Sequence, residues 1–150
     1  MLGREGDPFR TTYARVLARA FQWPLRPIVA QIIPTRRCNL SCAYCNEFDH
    51  KSQPVPLNLL QQRIDRLVDL GTGIITLSGG EPLCRPDFFD IAHEGKRLGF
   101  AIRVYTNGYL VDALVAKKFK ELMPFEIEIS FHGARPESFD KLTGIPGSFH

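Results

Sequence analysis

Three cysteines fall within eight residues: Cys38, Cys42 and Cys45, spaced C-x3-C-x2-C in the stretch RRCNLSCAYC. A fourth, Cys84, stands apart. In a reducing compartment, clustered cysteines favour metal binding over disulfides. A structural zinc site takes four ligands, so three clustered thiolates leave one position to be filled. Two chemistries satisfy the count. In one, Cys84 completes a zinc site and the chain is a non-catalytic interaction module. In the other, three thiolates hold three corners of a [4Fe–4S] cluster, and the fourth iron stays open for a substrate or cofactor, as a catalytic metal must. The spacing is irregular for a zinc ribbon or finger.

Positioning such a loop requires a rigid scaffold, and the hydrophobic pattern supplies one. Residues 28–33 read as an apolar strand running directly into the cysteines. Residues 58–70 place Leu60, Ile64, Leu67 and Val68 on one helical face and stop at Gly71. Residues 73–77 form a short β-branched run, the signature of a strand buried on both faces. A helix capped by Asp87 is expected over 87–98, a strand over 100–105, a helix over 112–122 and a strand over 125–130. Pro136 suits the first turn of a fourth helix. Strands alternating with helices predict βαβ units and a parallel sheet, either doubly wound or part of a β/α barrel.

In both architectures ligands bind beyond the carboxyl ends of the strands. Four groups converge there: the three cysteines, Ser78-Gly79-Gly80-Glu81-Pro82, Thr106-Asn107-Gly108, and Ser130-Phe131-His132-Gly133. Without a Cβ, Gly79 and Gly80 let the backbone approach a ligand closely. Glu81, following them, is expected to offer its charge to an ammonium group.

The bulk composition bounds the function classes. A chain of 150 residues with 44% hydrophobic content suits a globular domain. The net charge of +3 is too mild to argue for nucleic acid. Residues 1–37 carry seven Arg against Glu5 and Asp7. This basic segment reads as an amino-terminal helical arm over residues 1–27, with Phe9, Tyr13, Val16, Leu17 and Ala20 on one stripe. A solvated face is the ordinary reading of such charge; an RNA- or membrane-surface-binding fragment is the alternative. No signal peptide and no apolar run near the roughly eighteen residues of a membrane span is visible, so a soluble cytoplasmic protein is expected.

Taken together these residues resemble radical S-adenosylmethionine (radical SAM) enzymes. The resemblance rests on C-x3-C-x2-C with the aromatic Tyr44 before its last cysteine, then SGGEP at 78–82, TNG at 106–108 and ISFHGARPESFDKLTGIPGSF at 129–149. It runs colinearly over about residues 28–150, and its last segment is most similar to members carrying a SPASM or twitch extension.

The resemblance implies an α/β fold, a partial (β/α) barrel with about four βα units of an expected six. The core domain would span 28–150 and be incomplete at its carboxyl end. By the same resemblance Cys38, Cys42 and Cys45 ligate a [4Fe–4S] cluster, and S-adenosylmethionine chelates the remaining iron. Gly79, Gly80, Glu81 and Pro82 would line the methionine site. Tyr44 would contact adenine through its backbone, Ser130 the ribose, and Asn107 would support the cofactor. Reductive cleavage would give a 5′-deoxyadenosyl radical that abstracts hydrogen from a peptide, protein or cofactor precursor. The electron donor would be a flavodoxin or ferredoxin. His132 stands where many such relatives carry Asp, and reads as a tolerated variant. Cys84 reads as a small hydrophobe rather than a ligand. Arg36 and Arg37 read either as offsets to the cluster's negative charge or as solvated surface charges.

Overall fold

The computed structural model describes Ala14, Leu17, Ala18, residues 27–47 and residues 49–149. Four strands, β1 (Val29–Thr35), β2 (Ile74–Gly79), β3 (Ala101–Thr106) and β4 (Glu126–Ile129), form one sheet in the order β1-β2-β3-β4. Every pairing is parallel. The connections are helices α1 (Leu57–Asp69), α2 (Phe88–Arg97) and α3 (Ala113–Leu122), and α4 (Pro136–Thr143) follows β4. A parallel neighbour requires such a crossover. Most of the expected helix within the amino-terminal arm lies outside the described residues; Ala14, Leu17 and Ala18 are helical and exposed.

Helices α1, α2 and α3 share one face of the sheet. Leu60 and Ile64 of α1, Ile91 of α2 and Phe119 and Leu122 of α3 join Ile32, Ile75, Leu77, Ile102 and Val104 in a single buried cluster. Because side chains alternate along a strand, the intervening residues face the other way. There the register aligns Gln31, Thr76, Arg103 and Glu126 in one polar row, and Arg103 pairs with Glu126 at 2.5 Å. Helices on one side and a polar row on the other make this a singly wound partial barrel. Among the described residues no helix is long and apolar enough to cross a membrane.

Helix ends follow local chemistry, with one exception to expectation. Asp112 caps α3, its carboxylate accepting from Val115 N at 2.7 Å. Gly71 and Gly99 take left-handed conformations just past α1 and α2, with φ of 71° and 92°. Asp87 occupies the N-cap position of α2 without capping it. Its two carboxylate oxygens are instead taken by Arg85, at 2.8 and 2.6 Å. The bidentate guanidinium pair outcompetes a neutral backbone donor.

Candidate cluster and cofactor site

The cysteine loop leaves β1 at Thr35 and is tied down at its neck, its returning limb and its far side. Arg85, whose side chain is buried, donates from Nη1 to Pro34 O at 2.8 Å and to Val55 O at 2.6 Å. It therefore joins the strand entering the loop to the segment leaving it, and Val55 N closes the same neck on Pro34 O at 3.0 Å. Arg36 pairs with Asp49 at 3.3 Å, and Arg37 donates to Ser52 O at 3.1 Å and to Gln53 at 3.3 Å. These arginines, exposed at the surface, staple the returning limb of the loop. On the far side the end of α4 reaches the loop: Ser41 N donates to Thr143 O at 2.9 Å and Ala43 N to Leu142 O at 3.0 Å. Gly144, at φ 71°, sits so close that a Cβ would lie 2.7 Å from Ser41 O.

The glycine pair after β2 is packed against this loop. A Cβ on Gly79 would lie 2.4 Å from Thr35 O, and one on Gly80 would lie 2.3 Å from Arg37 O and 2.4 Å from Arg36 O. Two hydrogen bonds run across the contact, Gly80 N to Thr35 O at 3.0 Å and Glu81 N to Arg37 O at 2.8 Å. The close approach that the glycines permit is therefore to the stem of the cysteine loop. Both also line the cavity described next, so one face serves the protein and the other is free for a ligand.

Cys38, Cys42 and Cys45 open onto one cavity of about 180 Å³, together with Tyr44, Gly79, Gly80, Asn107, Ser130 and His132. All four strand ends contribute. A larger hollow of about 640 Å³ lies between β1 and α1, lined by Ala30, Ile32, Ile33, Leu59 and Leu67 among others. It holds no thiol and none of the strand-end residues, so the chemistry belongs to the smaller cavity. Burial raises the Cys38 thiol above its ordinary value, opposed by the Leu40 amide and the Asn107 side chain. Cys42 is raised by burial as well.

Sequence comparison decides the affiliation. The Radical SAM superfamily pattern matches residues 32–150. The chain belongs to the radical SAM superfamily. It is 35% identical over 118 residues to the AdoMet-dependent heme synthase of Methanosarcina barkeri, covering 77% of this chain and 34% of that protein. It is 36% identical over 121 residues to the Fe-coproporphyrin III synthase of the same organism, covering 77% and 29%. The chain thus spans about a third of the length of these curated relatives. Streptococcus suis SuiB, solved with its precursor peptide SuiA, superposes with a TM-score of 0.70 at 16% identity, over 97% of this chain and 34% of SuiB. At that identity the likeness is one of fold. Radical SAM proteins use a [4Fe–4S] cluster and S-adenosylmethionine, and SuiB has also been solved with S-adenosylmethionine bound.

The radical SAM donor set fits the residues present. Three thiols and no fourth cysteine line the cavity. Cys84 is exposed and outside the cavity lining, so it is not the packed small hydrophobe its sequence position suggested. Its place on a three-residue turn, Pro82–Cys84, brings it to the surface.

Glu81 is a second correction. Its carboxylate is fully buried and accepts from Leu83 N at 3.0 Å, the Thr106 hydroxyl at 2.9 Å and Asn107 N at 2.7 Å. Burial raises its carboxyl above the ordinary value against those three donors. It joins the ends of β2 and β3 and offers no free charge to a ligand, and buried Pro82 likewise lies outside the cavity lining. His132 has a definite contact: its Nδ1 lies 3.1 Å from the Tyr44 hydroxyl, linking the β4 end to the cysteine loop. The α4 brace, Arg85 and Asn39 had no sequence signal beyond proximity to the motifs.

Proposed function

We propose that this chain carries the cluster and cofactor-binding part of a radical SAM enzyme. The observation that carries the reading is the convergence of the three cysteines, Gly79, Gly80, Asn107 and Ser130 on one cavity at the ends of four parallel strands. Cys38, Cys42 and Cys45 would hold the [4Fe–4S] cluster. Gly79, Gly80, Tyr44, Ser130 and Asn107 would surround S-adenosylmethionine, with Glu81 and Pro82 supporting from behind. When bound, the cluster and S-adenosylmethionine supply reductive cleavage to a 5′-deoxyadenosyl radical that takes hydrogen from the substrate.

The chain's own contribution is position and exclusion of water. Each thiol sits on a loop fixed at its neck by Arg85 and at its far side by α4. The Tyr44–His132 pair bridges two sides of the cavity. The substrate class we assign is a peptide, protein or cofactor precursor. Two curated relatives named as synthases of heme and Fe-coproporphyrin support the last of these, and SuiB, seen with a precursor peptide, supports the first. The low potential that such chemistry demands suits a flavodoxin or ferredoxin donor in the cytoplasm.

Anaerobic reconstitution followed by iron, sulfide and zinc analysis tests the reading. About four irons per chain, retained in Cys84→Ala and lost in Cys38→Ala, is expected of the cluster. One zinc that disappears with Cys84 would overturn it.

A further inference from the structure

Asn107 stands at the end of β3, where its backbone N–H is fixed on Glu81 Oε2 at 2.7 Å. Its side-chain amide reaches back to the cysteine loop. Nδ2 lies 3.6 Å from Cys38 Sγ and 2.9 Å from Asn39 Oδ1. The amide has two hydrogens, so both acceptors are satisfied by one group. Leu40 N supplies a further donor to the same sulfur at 3.4 Å. The sulfur of Cys38 thus receives a hydrogen bond from a side chain at the end of a different strand, β3. Asn39 is held in turn: its Oδ1 accepts from Asn107, while its buried Nδ2 has no hydrogen-bond partner among the described residues.

We propose that Asn107 is a positioning residue for the cluster: it orients Cys38 and sets the electron-donating strength of that sulfur, with Asn39 fixing the amide. This rests on the cluster reading above and gives Asn107, beside its place in the cavity lining, a second role at the sulfur. Hydrogen bonds to cluster sulfurs raise the reduction potential by withdrawing electron density. Removing this donor leaves a more electron-rich thiolate and a cluster harder to reduce. In Asn107→Leu the shape is nearly kept and both N–H donors are lost without adding a charge, while the backbone link to Glu81 survives any side-chain change.

The experiment is a redox titration of the reconstituted protein, followed by EPR without S-adenosylmethionine. At a poise where the wild-type cluster is half reduced, Asn107→Leu is expected to change the reduced-to-oxidised ratio about tenfold toward oxidised, ~59 mV for a one-electron couple. Asn39→Ala should shift it the same way by less, and Asn107→Ser, which keeps a hydroxyl donor, should lie nearer wild type. Variants that hold four irons and titrate as wild type would overturn the proposal, whether or not they bind S-adenosylmethionine less well. So would failure of all three to hold iron, since a tuning contact is not an assembly requirement. Absence of a cluster in the wild type would instead defeat the proposed function itself.

Discussion

Replacing Gly80 by Ala is expected to loosen the cysteine loop before any cofactor is involved. The new Cβ would lie 2.3 Å from Arg37 O and 2.4 Å from Arg36 O, both backbone atoms that cannot rotate away. Relief to an ordinary contact requires about 1 Å of separation between the β2 end and the loop stem. Gly80 N to Thr35 O and Glu81 N to Arg37 O, now 3.0 and 2.8 Å, would be stretched beyond hydrogen-bond length. Losing two such bonds, each worth about 1–3 kcal/mol when its groups stay unpaired, gives about 3–5 kcal/mol after partial relaxation. Urea denaturation of the apo protein measures this, and iron content after anaerobic reconstitution measures its consequence. Gly99→Ala is the control: no atom lies within 4 Å of its Cβ although φ is +92°. It should cost about 1 kcal/mol and leave iron uptake unchanged. Gly80→Ala within about 0.5 kcal/mol of wild type, with full iron, would refute the reasoning.

Three further outcomes are expected. Arg85→Ala leaves Pro34 O, Val55 O and the Asp87 carboxylate without their shared partner; a loss of about 3–5 kcal/mol with reduced iron uptake is expected, by denaturation and iron assay. Asp112→Ala removes the α3 cap far from the cavity, so about 1 kcal/mol should be lost with iron content unchanged. Burial holds Cys38 and Cys42 as thiols to higher pH than usual, and metal uptake needs thiolates. Initial reconstitution rates should therefore rise with pH between about 7 and 9. The sign for the apo fold is opposite: stability from these neutral thiols is intact below their unfolded value and is lost as pH rises through the raised folded values.

The strands and helices were legible because the hydrophobic period changes sharply between them. The run 73–77, for example, appears as β2 Ile74–Gly79, one residue from its expected start. The partners of the motifs were not legible. The glycines announced a close approach, but nothing local said that its object is the Arg36–Arg37 backbone. Glu81 carries a charge that usually means surface; the Thr106 hydroxyl and Asn107 amide brought from another strand, with the local Leu83 amide, make burial tolerable. The position of Cys84 in the sequence suggests a small hydrophobe, whereas the short turn that holds it decides its exposure. The hydrogen bonds from Ser41 and Ala43 to the end of α4 join residues about a hundred positions apart through backbone atoms alone, and such atoms carry no residue-type signature.

The most direct test of the central claim is EPR of the anaerobically reconstituted, reduced protein with and without S-adenosylmethionine. The account predicts about four irons per chain and a [4Fe–4S] signal whose g values shift on adding S-adenosylmethionine, because only three thiolates occupy the cluster and one iron remains open. A fully ligated cluster indifferent to S-adenosylmethionine, or a signal that vanishes in Cys84→Ala, would contradict it.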